Sequence, residues 1–400
     1  MHLKTTLAAL TLVSLVGCSD AGAHRSRSGS ASPSSRAAAP RSSAAAPEAP
    51  EAPAPTWDPA STYAIVVGVL KFQSPKISGF SNKHRKDDEL AKLLLARGVP
   101  KDHLVELLDE QATAENVFAA VEKMAKSAPK GATLLFYYAG HGGNGKAGEV
   151  SFVAYDADGT KATSIALDRV EKTIAKSFAG GKVLLFADCC YSGGLLEVAK
   201  SLEKKGFEAA AVTSAEASNL SSGNWTFSQS LIDAIDGDGM TDHDKSGTIS
   251  LGELGEEVRQ AMKNRERQRM GAEYGRLSPR FVLASDNPKR PSAPGADREY
   301  VRAKRGETWS VARVVGAKGD DLTVEFYDYS DKSRLDVKRA ETQPIEWKNY
   351  KAAEKIEVLW EKKWWPAEVQ KTDGDFHFIT YTGFEHYWDE WVLSDRIQKN

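Results

Sequence analysis

The chain contains little cysteine, with only 3 Cys among 400 residues, and this excludes the disulfide-dense scaffolds of small secreted proteins. It also lacks a charge excess, because 53 Lys and Arg stand against 55 Asp and Glu and leave a formal net charge of −2. Nucleic-acid-binding proteins usually show a strong basic excess, so we expect no nucleic-acid partner. After residue 17, no apolar run is long enough to span a bilayer.

The overall composition is that of a globular protein. Hydrophobic residues make up 41% of the chain and charged residues 27%, which is enough apolar surface to build a buried core. At roughly 150 residues per domain, the length predicts two or three domains.

The first 17 residues have the pattern of a signal peptide. Lys4 supplies a positive charge, and the apolar stretch from residue 7 to residue 16 is too short for a transmembrane helix. The stretch ends in Leu-Val-Gly-Cys at 15–18, which resembles the lipobox of bacterial lipoprotein signal peptides. The resemblance implies that Cys18 carries the lipid, so we expect an exported, membrane-anchored protein on the periplasmic or cell-surface side. An ordinary secretory signal with a chance Cys is the alternative.

Residues 18–60 are predicted to form a disordered tether. This segment is mostly Ala, Ser and Pro, and few charged residues interrupt it between positions 30 and 55. Such a composition offers too little apolar surface to offset the entropy lost on ordering. We therefore expect a partly extended linker between the signal peptide and the first domain.

Residues 61–286 alternate between strand-like and helix-like patterns. The apolar run at 63–70 is continuous, as in a parallel strand that is buried on both faces. Helical spacing follows at 87–97, 114–127 and 167–177, and further strands are predicted at 103–108, 132–138, 150–155, 182–187, 209–213 and 280–284. This alternation predicts an α/β fold with a mostly parallel sheet flanked by helices.

Two polar clusters directly follow two of these strands. Residues 139–143 read Ala-Gly-His-Gly-Gly, and residues 188–194 read Asp-Cys-Cys-Tyr-Ser-Gly-Gly. In open α/β sheets, ligands bind at the carboxyl ends of the strands. A cysteine peptidase needs a thiolate and a proton carrier in one cleft, and Cys190 and His141 are the residue types required.

The two clusters together resemble the caspase and metacaspase clan of cysteine peptidases, peptidase C14. In that clan, a strand ending in His-Gly is followed by a strand ending in Asp-x-Cys-His/Tyr-Ser-Gly, and the resemblance covers about residues 62–285. It implies a caspase-hemoglobinase-like fold, Cys190 as the nucleophile and His141 as the general acid and base. It also implies an oxyanion hole formed by the backbone N–H groups of Gly142 and Cys190. Cys189 is the rival nucleophile, but Cys190 precedes Tyr-Ser-Gly as the clan's nucleophile does.

The resemblance also implies the substrate preference. In metacaspase-like members, an Asp two residues before the nucleophile binds a basic P1 side chain, and Asp188 holds that place. A second acid usually lies at the start of the first helix, where Asp87 is the match and Asp88 is the alternative. We therefore expect cleavage of polypeptides after Arg or Lys, without a cofactor for the chemistry.

Residues 242–253 match the calcium-binding loop of an EF-hand. The loop places oxygen ligands at positions 1, 3, 5, 7, 9 and 12 and a Gly at position 6. These ligand positions are held by Asp242, Asp244, Ser246, Thr248, Ser250 and Glu253. Three carboxylates predict modest affinity, on the order of 10⁻⁴–10⁻³ M, for a structural or regulatory Ca²⁺. The alternative is a solvated acidic turn that caps a helix.

The composition changes beyond residue 295 to aromatic and charged residues with period-two alternation, which predicts small all-β domains. Residues 353–398 resemble Tudor and chromo-barrel domains of the SH3-like class, and residues 297–347 resemble a degenerate copy. The resemblance implies an aromatic cage that would bind an alkylammonium group of a peptide or protein ligand by cation–π attraction. Its residues would be Trp365, Tyr381, Phe384 and Trp388. Alternatively, these aromatics only fill a small core.

These observations lead to two functional hypotheses. The first is a lipid-anchored, caspase-like cysteine endopeptidase, regulated by Ca²⁺, with C-terminal binding modules. The second is a catalytically inactive caspase-like scaffold that uses its Tudor-like modules as a membrane-tethered adaptor.

Overall fold

The structure is a computed structural model that describes residues 53–399, apart from the short segments 83–84, 145–148, 161–162, 217–223, 239–240, 245, 263–265, 267, 286, 288–298, 327–333, 346–347, 361–362, 374–375 and 385–387. The predicted signal peptide, the lipidation site Cys18 and most of the predicted tether lie outside the described residues. Within the described residues, no helix has both the length and the apolar character needed to cross a membrane.

The first domain consists of alternating helices and strands. Its helices are α1 (Lys86–Ala96), α2 (Ala114–Ser127), α3 (Leu167–Ser177), α4 (Gly194–Lys204), α5 (Thr226–Asp236) and α6 (Leu251–Ala261). Its strands are β1 (Thr62–Gly68), β2 (Leu104–Leu108), β3 (Thr133–Ala139), β4 (Gly142–Asn144), β5 (Val150–Val153), β6 (Ser164–Ala166), β7 (Lys182–Asp188), β8 (Glu208–Thr213), β9 (Thr248–Ser250), β10 (Gly271–Glu273) and β11 (Val282–Ser285).

The main sheet confirms the predicted, mostly parallel α/β architecture. Its strand order is β10-β8-β7-β3-β1-β2. All neighbours pair in parallel except β10, which adds an antiparallel edge. Gly68, Ala139 and Asp188 stand side by side in the register of β1, β3 and β7. The carboxyl ends of these three strands therefore meet at one edge of the sheet.

Helices cover both faces of this sheet, which explains the continuous apolar runs of its strands. Successive residues of a strand point to opposite faces, so Ile65 and Val67 pack with α2, α3 and α4, whereas Ala64 and Val66 pack with α1, α5 and α6. As a result, every residue of β1 is buried.

Two predicted strands belong to other sheets. The strand predicted at 150–155 is β5, which lies between β4 and β6 in a separate antiparallel sheet. The strand predicted at 280–284 is β11, which pairs with β9 within the predicted calcium loop. A short apolar run predicts a strand but carries no information on its pairing partners, so the sequence alone could not assign these two strands to a sheet.

The C-terminal part forms two antiparallel sheets. One contains β12 (Tyr300–Arg305), β13 (Thr308–Lys318), β14 (Asp321–Phe326) and β15 (Arg334–Lys338) in chain order. The other contains β16 (Lys355–Trp360), β17 (Lys363–Asp373), β18 (Phe376–Tyr381), β19 (Glu390–Leu393) and β20 (Ile397–Gln398) in the order β19-β18-β17-β16-β20. Each sheet has its own apolar core.

The two C-terminal sheets share an irregularity at corresponding positions. The pairing of β13 with β14 shifts register between Val314 and Gly316, and the pairing of β17 with β18 shifts between Val369 and Lys371. The sequence similarity between 309–314 and 364–369 aligns Val314 with Val369. A bulge at the same place in both sheets supports the interpretation that they are copies of one unit.

A buried ion pair connects the first of these sheets to the α/β domain. Arg313 Nη1 on β13 lies 2.8 Å from Glu257 Oε1 on α6, and Arg313 is 5% exposed. His243 Nε2, from the predicted calcium loop, lies 3.3 Å from the other oxygen of Glu257. Burial alone would raise the pKa of Glu257, but the charge of Arg313 and the hydrogen bond from His243 hold this pKa well below its usual value.

Candidate active site

The two polar clusters meet at the carboxyl ends of β3 and β7. Because Ala139 and Asp188 are in register, the segments that follow them leave the sheet side by side. His141 and Cys190 both line one cavity of about 110 Å³ at this edge, together with Asp188. The structure therefore brings the predicted nucleophile and the predicted proton carrier into a shared pocket.

Glycines allow these two segments to touch. A Cβ atom on Gly142 would lie 1.7 Å from the carbonyl oxygen of Cys190 in the other segment. Within the first segment, a Cβ atom on Gly140 would lie 2.5 Å from the Tyr138 hydroxyl. Tyr191, directly after Cys190, has a φ of 56°, in the left-handed region that non-glycine residues rarely adopt. Cys190 thus sits at a sharp turn pressed against the strand that begins at Gly142.

The imidazole of His141 is fixed by a loop between β1 and α1. Its Nε2 lies 2.8 Å from the carbonyl oxygen of Ser78. A carbonyl oxygen only accepts hydrogen bonds, so Nε2 carries the hydrogen and Nδ1 is the nitrogen that can take up a proton. Phe72 and Phe80 pack against the ring, with centroid distances of 5.2 and 4.4 Å. The sequence analysis missed these three residues, because a backbone carbonyl and two packing rings leave no motif.

The environments of the two adjacent cysteines differ. Cys189 is 2% exposed, and burial raises the pKa of its thiol well above the usual value. A reactive cysteine needs an accessible thiolate, which Cys189 cannot readily supply. Both cysteines line the cavity, but Cys190 is only half-buried, so its accessibility favours Cys190, as the sequence predicts.

Asp188 lies at the wall of the same cavity and is almost fully buried. Its carboxylate accepts hydrogen bonds from the backbone N–H and the hydroxyl of Ser228, at 3.2 and 2.6 Å. Ser228 Oγ also lies 2.6 Å from the Tyr137 hydroxyl. Burial raises the pKa of Asp188 to about 6, although the hydrogen bonds from Ser228 lower it. Ser228, in the first turn of α5, thus orients Asp188, and the sequence analysis did not identify it.

The second predicted acid has a partner from its own chain. Asp87 is fully buried at the start of α1, and its Oδ2 lies 2.6 Å from Nη2 of Arg85. It is not among the residues that line the cavity. The alternative, Asp88, forms an ion pair with Lys92 one helical turn away, at 2.8 Å, and its side chain is partly exposed.

The predicted calcium loop brings its carboxylates together. Oxygen atoms of Asp242, Asp244 and Glu253 lie within 4.8 Å of one another. The backbone N–H of Ser246 donates to both aspartates, and the N–H of Gly247 donates to Asp242. Gly247 has a φ of 80°, as expected for position 6 of an EF-hand loop. A set of three carboxylates in such a turn fits the oxygen preference of Ca²⁺.

The remaining predicted ligands of this loop have different roles. Ser250 caps α6, since its hydroxyl accepts from the backbone N–H of Glu253. The carboxylate of Glu253 in turn accepts backbone N–H groups from Ser250 and His243, each within 3 Å. The Thr248 carbonyl accepts from the hydroxyl of Ser246 at 3.3 Å.

The predicted cage residues lie close together on the second C-terminal sheet. The ring centroids of Trp365 and Phe384 are 5.3 Å apart, and those of Tyr381 and Phe384 are 6.0 Å apart. Trp360, which the sequence analysis did not include, joins Trp388 to this cluster at 5.6 Å. Phe384 and Trp388 are among the most exposed large apolar residues of the described chain.

A lysine of the same sheet already contacts this aromatic cluster. Lys363 Nζ lies 3.9 Å from the centroid of the Trp365 ring, within the range of a cation–π contact. Any ligand amine that used the same face of Trp365 would have to displace Lys363.

Comparison with known proteins relates this site to one peptidase family. Residues 89–199, which include His141 and Cys190, match the sequence profile described as metacaspase, peptidase C14 domain. Metacaspase-1 of Mycosarcoma maydis is 29% identical over an alignment of 153 residues, and the match covers 34% of this chain and 36% of the relative. The match therefore spans about a third of that protein's length. These matches support the caspase-like part of the resemblance found in the sequence.

Two solved structures are similar over a larger share of the chain. Pro-sf-caspase-1 shows a TM-score of 0.39 and 13% identity, with 61% of this chain and 98% of that chain covered. Protein GSU0716 of Geobacter sulfurreducens also shows a TM-score of 0.39, with 15% identity and coverage of 58% and 98%.

The contact between Gly142 and Cys190 generates a testable prediction. We expect Gly142→Ala to destabilise the protein by about 1–3 kcal/mol, because the new methyl group has to displace the Cys190 carbonyl. Gly143→Ala is the matched control, since its Cβ atom would meet only the Ser151 carbonyl, at 3.9 Å. Urea denaturation of both variants measures the difference, and equal stability of the two would contradict the predicted contact.

Proposed function

We propose that this chain is a cysteine endopeptidase that cleaves polypeptides after Arg or Lys, with Cys190 and His141 as its catalytic dyad. The observation that carries the proposal is the shared cavity lined by both residues at adjoining strand ends. The metacaspase profile match over 89–199 supports it, because that segment contains both residues.

The mechanism follows from the geometry of His141. Nδ1 accepts the proton of the Cys190 thiol, while the Nε2–H donated to Ser78 holds the ring in place. The thiolate attacks the scissile carbonyl, and the backbone N–H groups of Gly142 and Cys190 stabilise the oxyanion, at about 3 kcal/mol per donor. The imidazolium then protonates the leaving amine, and the neutral ring activates the water that hydrolyses the acyl-enzyme.

Recognition of a basic P1 side chain is assigned to Asp188. It is the carboxylate that lines the cavity beside Cys190, and Ser228 holds it in a fixed orientation. When ionised, it would form a charge-assisted hydrogen bond to an Arg or Lys side chain. A pocket that carries an acid disfavours cleavage after Asp.

Calcium regulation is a further part of the proposal. Asp242, Asp244 and Glu253 would hold the ion, and Ca²⁺ would neutralise their mutual repulsion and order the loop. The loop follows α5, the helix whose first turn contains Ser228. Ordering of the loop would therefore stabilise the helix that holds Asp188.

The anchoring and binding functions rest on the sequence and on the aromatic cluster. We propose that lipidated Cys18 tethers the exported enzyme to a membrane. The second candidate function is an inactive adaptor, which the exposed rings of Phe384 and Trp388 favour, because such a patch on a soluble surface is typical of a binding site.

The decisive experiment compares two cysteine variants. Cys190→Ala should lower cleavage of a fluorogenic peptide with Arg at P1 by at least about 10³-fold, because it removes the nucleophile. Cys189→Ala is the matched control and should keep activity within about tenfold, since a buried Cys only packs. Cleavage that survives in Cys190→Ala would exclude Cys190 as the nucleophile, and a wild type that never cleaves the peptide would favour the adaptor.

The raised pKa of Asp188 predicts a pH-dependent preference. Below about pH 6 the carboxyl group is protonated and neutral, and above it the group is charged. The ratio of kcat/KM for P1 Arg to kcat/KM for P1 citrulline should therefore rise with pH through about 6. A charged hydrogen bond contributes roughly 1.5–3 kcal/mol, so the rise should be about 10-fold or more. The ratio cancels the titration of the dyad, and it should stay flat with pH in Asp188→Asn.

The calcium loop predicts a stabilisation that does not depend on activity. With a dissociation constant of about 10⁻⁴–10⁻³ M, 10 mM Ca²⁺ should stabilise wild type by roughly 1.4–2.7 kcal/mol. Glu253→Gln should abolish this shift in urea denaturation, whereas Glu256→Gln, whose contacts with Arg259 and Gln260 lie on α6 outside the loop, should retain it. Identical calorimetric traces without heat for wild type and Glu253→Gln would end the calcium hypothesis.

A further inference from the structure

Arg85 lies between two carboxylates at the carboxyl end of β1. Its Nη2 and Nε contact the two oxygens of Asp87 at 2.6 and 3.1 Å, which is a bidentate fork. Its Nη1 lies 2.5 Å from Asp109 Oδ2, and Nη2 also donates to the Gly68 carbonyl at 3.2 Å. Four contacts of this kind hold the guanidinium in one position, and its side chain is only 14% exposed.

This cluster stands next to the candidate active site. A Cβ atom on Gly68 would lie 1.7 Å from Asp87 Oδ2, so the carboxylate of Asp87 rests on the end of β1. Gly68 is in register with Ala139, and Ala139 is in register with Asp188. Two strand spacings therefore separate the end of β1 from Asp188, and this corresponds to a distance of about 10 Å.

The fork leaves Asp87 little capacity to bind a substrate. Both of its oxygens accept from Arg85, and Oδ1 also accepts from the backbone N–H of Asp88 at 2.9 Å. A basic P1 side chain that approached Asp87 would meet a guanidinium already in place. Since an Arg–carboxylate fork is specific in its geometry, the two cations cannot share it.

We propose that Arg85 is a specificity-determining residue, which holds Asp87 in an internal ion pair and leaves Asp188 as the acid that reads a basic P1 side chain. The inference rests on the proposed peptidase function. It assigns to an internal arginine the position that substrate would otherwise take, and it predicts that removal of Arg85 adds a second acid to the pocket.

A purely structural role for Arg85 makes a different prediction. Asp109, its other partner, accepts from the backbone N–H groups of Leu70 and Lys71, and Leu70 lines the cavity. Loss of Arg85 therefore also loosens this wall, which would lower kcat and stability for every substrate alike. The ratio of the kcat/KM values for two substrates, measured on one enzyme sample, distinguishes the specificity role from the structural role. The fraction of folded enzyme affects both values equally and cancels.

The test compares P1 Arg with P1 citrulline, which has nearly the same shape but no charge, at pH 8. Arg85→Gln should raise the Arg/citrulline ratio of kcat/KM at least tenfold over wild type. The double variant Arg85→Gln/Asp87→Asn should return the ratio to within threefold of wild type, because the released acid is gone. Lys86→Gln is the matched control: it removes the neighbouring cation, which pairs with Glu89 near the surface, and it should leave the ratio unchanged.

Arg85→Lys provides a second variant in case Arg85→Gln does not fold. Arg85→Lys keeps the positive charge but cannot form the two-point contact with Asp87. Its Arg/citrulline ratio should therefore lie between that of wild type and that of Arg85→Gln. An unchanged or lower Arg/citrulline ratio in both Arg85 variants would overturn this inference but not the proposed function. A rise that persists in the double variant would do the same. Absence of any Cys190-dependent cleavage by wild type would instead overturn the proposed function, and the inference with it.

Discussion

The site depends on one close approach, between the chain that leaves β3 and the turn that follows β7. No side chain fits at Gly142, because the carbonyl of Cys190 occupies the space that a Cβ atom would need. The approach is possible because β3 and β7 are neighbouring parallel strands whose last residues are in register. Parallel neighbours release their chains at the same edge, and glycine then sets how closely these chains can pass.

Charge burial is the second constraint on this part of the molecule. Asp188 and Asp87 are both buried near the pocket, and a buried carboxylate is costly unless hydrogen bonds or a cation compensate. The two aspartates receive different compensation. Asp188 is held by the neutral donors of Ser228 and keeps a raised pKa, whereas Asp87 is held by the charged fork of Arg85. The charge of Asp188 can thus change with pH, whereas the charge of Asp87 is balanced by Arg85 within the fold.

The sequence could predict what depends on local pattern. Continuous apolar runs identified the buried strands, and α2 was predicted with its observed bounds, because Thr113 caps it and apolar residues repeat along it. The Gly-flanked His141 and Cys190 were likewise visible, since they follow strands directly. Even the repeat within the C-terminal part could be read from 309–314 and 364–369, and both copies have the bulge at corresponding positions.

What the sequence could not predict depends on contacts between distant segments. Ser78 acts through a backbone carbonyl, so its side chain carries no signal. Ser228 contacts Asp188 from a distant segment, and Arg85 joins its near neighbour Asp87 to the distant Asp109. Neither Ser228 nor Arg85 belongs to a motif. The pairing partners of β5 and β11 could not be predicted for the same reason, because partner choice is set by tertiary structure and not by the apolar run itself.

Glu257 is shared by two parts of the protein, because one oxygen faces His243 of the acidic loop and the other faces Arg313 of the first C-terminal sheet. Because both groups contact the same carboxylate, a change in the position of one changes the interaction free energy of the other. If binding of an ion to the loop moves His243, the free energy of the contact between Glu257 and Arg313 changes. Thermodynamic linkage then requires this contact to change the affinity of the loop for the ion by the same factor. The C-terminal sheets would then take part in any signal that reaches the loop.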